Sequence, residues 1–286
     1  MGNWEYEAIH DDSEIKLTRY TGNASVVITP EQIDGLPVTV LGNRTFLNNS
    51  TITSVCLHRN IRAVEDGSGI RGTGAFRGCA NLGTVILSPR MERIADYMFY
   101  GAASQRTSPL QIEFRNIREI GAFAFACCNH ITPLHLPETV EKIDTGAFYQ
   151  ARRLRELHLP GVLEIAADAF TETVYEEQYE KQWEAGKFSG IAYAGNVAYL
   201  YFGKLDEPVV ELHYGTRGIS EFLFRNHYCR NFIHKLKAIS IPETVCYIPP
   251  DLFDGFLQVE IHGIPNSYTE QYAAQYDNIQ FIPINT

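Results

Sequence analysis

The sequence predicts an α/β solenoid, right-handed and horseshoe-like, in which short strands and short helical or 3-10 turns stack rung upon rung. Three observations predict it. An aliphatic residue stands five positions before a phenylalanine again and again: Leu41 with Phe46, Ile94 with Phe99, Ile120 with Phe125, Ile143 with Phe148, Ile165 with Phe170, Ile219 with Phe224, and Ile248 with Phe253. Phe76 joins the series if Val64 is its partner and the Gly-rich stretch 65–72 is a local insertion. The spacing is 23 residues from Phe76 to Phe99 and from Phe125 to Phe148, and 22 from Phe148 to Phe170. That lies inside the range of about 20–29 of leucine-rich repeats. Finally, Leu134-His135-Leu136-Pro137, Leu157-His158-Leu159-Pro160 and Ile239-Ser240-Ile241-Pro242 alternate apolar and polar residues, the pattern of a half-buried strand.

Each part of a rung has a local reason. The proline after a strand lacks an N–H for a ladder bond and ends it. A pair such as Val140 and Ile143, or Val162 and Ile165, then points back inward, and Ala147-Phe148 or Ala169-Phe170 closes the turn, the small alanine leaving room for the ring. Stacked phenylalanines would form a spine through the core.

The order along the chain is then a single domain, 1–286. Residues 1–45 form an N-terminal cap and first rung, 46–170 regular repeats, 171–212 an irregular unit, 213–262 further repeats, and 263–286 a C-terminal cap. In the irregular unit, 172–184 predicts an acidic helix carrying Glu176, Glu177, Glu180 and Glu184, and 190–202 a hairpin about Gly195-Asn196. It can be a solvated ornament of one rung, or an element that docks a partner, since solenoid insertions project on one face.

Composition narrows the function. A net charge of -10, with 24 Lys and Arg that form no block, argues against nucleic-acid binding, which needs clustered cations. No apolar run approaches the roughly 20 residues of a membrane span. The first residues, Met1 to Glu7, lack the basic and apolar regions of a secretion signal. If Met1 is the native start the chain is cytoplasmic; otherwise it is a mature form. Among six cysteines, Cys79 and Cys128 each follow a spine phenylalanine by three residues, so buried free thiols are expected rather than disulfides.

No motif for a nucleophile, a catalytic zinc or a phosphate loop occurs, and no catalytic residue, cofactor or metal is assigned. The stretch Gly67-Ser68-Gly69-Ile70-Arg71-Gly72 lacks the Lys-Ser/Thr ending of a phosphate loop. The outward strand positions run Val27, Cys56, Ile86, Glu113, His135, His158, Glu211, Ser240, Glu260. At about 4.8 Å between strands, Glu113, His135 and His158 should form a ladder with Glu156 beside His158. Such a set could hold a divalent ion or be polar residues on a solvated face; its stronger use is recognition. Ile86, Glu113, His135, Glu156, His158 and Glu211 are the candidate recognition surface.

Units such as 154–160, Leu-Arg-Glu-Leu-His-Leu-Pro, followed by Ile165 to Phe170, resemble the BspA-type leucine-rich repeat of bacterial surface proteins. The opening from Trp4 to Phe46, with Asp34-Gly35-Leu36-Pro37-Val38, resembles that family's first cap, and Asn266 to Ala273 leading to Phe281 its helix-then-strand ending. The resemblance implies a non-enzymatic adhesion or protein-recognition module at the cell surface or secreted, its partner a host or bacterial surface protein. An alternative is a carbohydrate-binding surface using exposed aromatics of the irregular unit. Its tyrosines, Tyr175, Tyr179, Tyr193, Tyr199 and Tyr201, suit an interface, yet packing of the hairpin onto the array explains them as well.

Overall fold

The computed structural model describes residues 2–69, 72–131 and 133–284; Ile70 and Arg71 of the glycine-rich stretch lie outside the described residues. The chain divides into two compact units, the first comprising Met1–Gly161 with Asp168–Glu176, the second Val162–Ala167 with Glu177–Thr286. The architecture is a solenoid of repeats, mostly strand with little helix.

The first unit opens on an antiparallel pair, Trp4–Ile9 and Glu14–Tyr20, whose turn takes left-handed backbone at His10, Asp11 and Asp12. The inner strand pairs in parallel with Leu36–Leu41, which folds back on Gln32–Ile33 through Asp34-Gly35, both at positive φ. The rungs follow. Val26–Ile28, Ser54–Cys56, Thr84–Ile86 and Gln111–Glu113 form one parallel sheet, with Val27, Val55 and Val85 buried on its inner face. A second row of two-residue strands carries the inward aliphatics, Ile94, Ile120 and Ile143 in register. Leu41 is in register with Val64, so Val64 does occupy the repeat position ahead of Phe76, and residues 65–72 are extra chain in that rung.

Between these rows run the phenylalanines. Phe46, Phe76, Phe99, Phe125, Phe148 and Phe170 are all buried, and successive rings stack at centroid separations of 5.0, 5.1, 5.1, 5.4 and 5.4 Å with interplanar angles of 4–11°. Each such pair adds about 0.5–1.5 kcal/mol beyond the area it buries. Trp4 and Tyr20 close the column against Phe46, at 5.8 and 5.6 Å.

Backbone bonds lock the stack. The N–H of Phe46, Phe76, Phe99, Phe125 and Phe148 donates to the carbonyl just before the next phenylalanine, at 2.7–2.9 Å. Two residues past each ring, Asn48, Gly78, Gly101, Cys127, Gln150 and Glu172 take φ of 57–65°. The first five donate to the carbonyl just after the next ring, at 2.8–3.0 Å. These segments are turns closed by i→i+3 bonds, such as the Cys128 N–H to the Phe125 carbonyl at 3.1 Å, and none is a regular helix.

The second unit holds two sheets. Gly190–Ala194 and Val197–Phe202 form the expected hairpin about Gly195-Asn196, and Gly218–Ile219 pairs in parallel with its second strand. Val210–Glu211, Ala238–Ser240, Val259–Gly263 and Ile279–Pro283 make a parallel sheet, the last strand reached through a helix, Tyr268–Ala273, that Ser267 caps by accepting the N–H of Glu270. The core gathers Tyr201, Phe224, Phe253, Phe256 and Tyr272; Phe224 and Phe253 lie 6.3 Å apart at 35°, looser than the rings of the first unit.

The irregular unit is no surface ornament. All six residues of Val197–Phe202 are buried, Tyr199 at 1% and Tyr201 at 2% exposure. The helix spans Val174–Glu184, with Tyr175 and Glu176 buried. Its Tyr179 and Trp183 pack on Phe202 at 6.2 and 6.4 Å, and Trp183 meets Tyr228 at 5.4 Å. Glu177 pairs with Lys181 at 2.8 Å on the exposed side.

The cysteines are free. Cys79 and Cys128 are buried and donate their thiols to the carbonyls of Phe46 and Phe99, at 3.0 and 2.8 Å. Burial pushes both thiols up to about 12. Cys229 is buried too, but Cys56 and Cys127 are half-buried and Cys246 is exposed, so burial is not the rule for all six.

Two outcomes follow. Phe125→Ala should lower unfolding free energy by about 3–5 kcal/mol, as buried aromatic truncations do, read from chemical denaturation; a loss under about 1 kcal/mol would remove the stack from its central place. A brief alkylation of the native chain should label Cys246 first and leave Cys79 and Cys128 unmodified until denaturant is added, since the thiolate is the reacting form. Mass spectrometry showing early labelling of Cys128 would contradict the buried assignment.

Candidate functional site

The outward side chains are fixed by the register of the parallel strands. In the first sheet Ile28, Cys56, Ile86 and Glu113 form one row. The row therefore starts at Ile28, not at Val27, which is buried and pairs with Val55. Ile28 is 67% exposed and Val26, two residues back on the same face, 64%. Ile86 is half-buried and Glu113 exposed, its carboxylate held by Arg115 at 2.9 Å.

His135 and His158 are direct register partners on Leu134–His135 and Leu157–His158, both exposed, with ring centroids 5.6 Å apart and planes tilted by 45°. Glu156 is exposed beside them, and its carbonyl accepts the Leu134 N–H at 3.0 Å. The backbone thus sets His135 beside His158, with Glu156 two residues before His158 in the chain.

Glu113 does not join them. Among the described residues Gln111–Glu113 and Leu134–His135 are not paired, and the ladder divides there. Pro133, just ahead of the second strand, has no N–H to donate. Among the described residues the two segments are tied near one end, where the Leu110 N–H donates to the His130 carbonyl at 2.7 Å. An open cleft of about 260 Å³ fills the gap, lined by Leu110, Ile112, Phe114, Ile131, Pro133 and His135 among others. Burial first, then the positive charges of Arg153 and Arg106, holds the imidazole of His130 below its ordinary value.

In the second unit Glu211 is exposed and pairs in register with Ser240, which pairs with His262. The outward row there runs through His262 to Ile282, not through Glu260, which is in register with Ala238 and lies 3.2 Å from the His262 ring. Among the described residues no three His, Cys, Asp or Glu side chains gather as metal ligands would, which leaves His135 and His158 as a pair.

The aromatics of the irregular unit offer no sugar-stacking platform. Besides the buried Tyr175, Tyr199 and Tyr201, Tyr193 is stacked on His213 at 4.6 Å and Tyr179 packs on Phe188 at 5.3 Å. A separate charged group sits on the inward-aliphatic row: Arg93 bridges Asp66 at 2.6 Å, Glu119 at 2.7 Å and Asp96. Asp96 also accepts the Ala122 N–H at 2.8 Å. These bonds join neighbouring rungs and are structural.

Residues 39–176 match six copies of the BspA type leucine rich repeat region. That array belongs to the BspA-type leucine-rich repeats. A leucine-rich-repeat protein of Treponema pallidum is 27% identical over 59% of this chain and 75% of its own, with a TM-score of 0.50. One from Bacteroides ovatus is 14% identical, covering 99% of this chain and 76% of its own, with a TM-score of 0.49. A leucine rich cell surface protein of Faecalibacterium prausnitzii is 17% identical, covering 98% and 93%, with a TM-score of 0.41. No curated protein matches the chain. Among the described residues no helix is long and apolar enough to cross a membrane.

Proposed function

We propose that this chain is a non-enzymatic module that binds a protein partner through the outward face of its parallel strands. The observation that carries the reading is the exposed His135, Glu156 and His158 patch beside the open 109–135 cleft. Side chains at strand spacing on a shallow face suit a protein surface, whereas small substrates favour deep, enclosing pockets. Ile86 and Glu113 extend the surface on one side of the cleft, and Glu211 is its counterpart in the second unit. Leucine-rich repeats of the BspA type support a protein-interaction role, and family precedent favours a surface or secreted setting with a host or bacterial surface protein as partner.

The test is affinity capture from host and bacterial surface extracts, followed by measured binding of the recovered protein to purified chains. His135→Ala/His158→Ala should weaken that binding at least about tenfold, the effect of losing somewhat over 1 kcal/mol at an interface centre, without changing the melting temperature. Unchanged affinity when Ile86, Glu113, His135, Glu156 and His158 are all replaced would reject this face as the site.

A further inference from the structure

Among the described residues the Val26–Ile28 strand ends its sheet and has a neighbouring strand on one side only. Its bonds to Ser54–Cys56 run through alternate residues: Ser54 N–H donates to the Ser25 carbonyl and Thr29 N–H to the Cys56 carbonyl, each at 3.1 Å. That register turns the N–H and C=O of Val26 and Ile28 the other way, where no strand among the described residues takes them. The same two residues carry the most exposed apolar side chains of the sheet, at 64% and 67%.

Open edges invite pairing, and proteins blunt them with charge, proline or bulges. Other edges of this chain follow the rule. Trp4–Ile9 carries Glu5 and Glu7, Gln111–Glu113 ends on the ion pair of Glu113 with Arg115, and Ile279–Pro283 ends on proline. Val26–Ile28 has none of these devices, and the ten residues from Thr21 to Pro30 contain no charge.

We propose that this edge is a self-association site, at which two copies of the chain pair antiparallel about a twofold axis through Val27. The occupant follows from the register. In that arrangement Val26 of one copy faces Ile28 of the other, and both residues exchange N–H···O=C bonds as a hydrogen-bonded antiparallel pair does. The outward groups are therefore complementary to themselves, as a twofold contact requires. Four exposed β-branched side chains meet on one face, and the row Ile28, Cys56, Ile86 continues across the seam into Val26, Ser54 and Thr84 of the other copy. A neutral segment laid against itself meets no like-charge repulsion, and a charged partner would find nothing to pair with. Three residues of edge make a small contact, so the association is weak and depends on concentration.

Sedimentation equilibrium of the whole chain from about 1 µM to about 1 mM tests it. The expected result is a monomer–dimer equilibrium in the wild type, with Val26→Lys/Ile28→Lys raising the dimer dissociation constant at least tenfold while His135→Ala/His158→Ala leaves it unchanged. Hydrogen exchange reads the same contact without any substitution: the Val26 and Ile28 amides should slow as concentration rises, and the Val27 amide should not. A monomer across the whole range, a dimer indifferent to the two lysines, or amides at 26 and 28 indifferent to concentration would each overturn the proposal.

Discussion

The geometry of the first unit depends on one constraint: a phenylalanine ring from each rung must lie flat on the next, within 5.0–5.4 Å. Everything near the rings serves that distance. Ala75, Ala124, Ala147 and Ala169 precede their phenylalanines and are fully buried, leaving space for the neighbouring ring. The backbone bonds on both sides of each ring hold adjacent turns at a fixed offset. The left-handed residue two positions on has no shared identity, being asparagine, glycine, cysteine, glutamine or glutamate. For a residue with a side chain that backbone costs roughly 1–2 kcal/mol. The bond it donates to the next rung returns about 0.5–1.5 kcal/mol, so the turn stands because the stack holds it. At Glu172 the surface helps as well. Its carboxylate accepts from Gln150, Tyr149 and Arg152, which hold it below the usual carboxylate range.

Because the rings set the pitch, rung length is free elsewhere. From Phe46 to Phe76 the chain runs 30 residues and from Phe148 to Phe170 only 22, yet the ring separations differ by 0.4 Å. Extra residues leave the rung as loops. The 101–109 loop precedes the Gln111–Glu113 strand, and the sheet opens just beyond that strand. Glycine appears where loops and turns press together: at Gly146, with φ of +59°, a Cβ would lie 2.4 Å from the Phe123 ring. Length variation, harmless to the core, is thus expressed on the outward sheet, where it shapes a cleft.

What the sequence disclosed and what it hid divide along physical lines. The phenylalanine register, the Asp34-Gly35 and Gly195-Asn196 turns and the closing helix and strand announce themselves by residues whose backbone needs are narrow. The inward side of Leu134–His135 was legible because histidine alternates with leucine. Val26-Val27-Ile28 offers no such contrast; three apolar residues cannot say which faces in, and the register alone turns Val27 inward and Ile28 outward. The pairing partner of Ser240 was hidden likewise, since Glu260 and His262 are both polar and both face out. The break at Pro133 depends on what lies opposite it, which no local pattern records. The tyrosines of the irregular unit are ambiguous in the sequence for a related reason. A ring with a hydroxyl suits a surface or a core, and only the three-stranded arrangement around Val197–Phe202 puts Tyr199 and Tyr201 inside.

The N-terminal rung shows how differently a solenoid can close its two kinds of open end. Among the described residues the ring of Phe46, first in the column, has a stacked neighbour on one side only, and the cap covers the other with Trp4 and Tyr20, which meet that ring edge-on or tilted at 5.8 and 5.6 Å. Tyr20 also turns its hydroxyl to accept the Ala24 N–H at 3.3 Å. A ring needs only another ring, and side chains on one hairpin can supply it. A sheet edge needs a strand's worth of donors and acceptors in register, and the cap's own strands pair with one another and with Leu36–Leu41, not with Val26–Ile28. The apolar column is therefore sealed from within the chain, while the hydrogen-bonding edge at Val26 and Ile28 is left to whatever strand can match it.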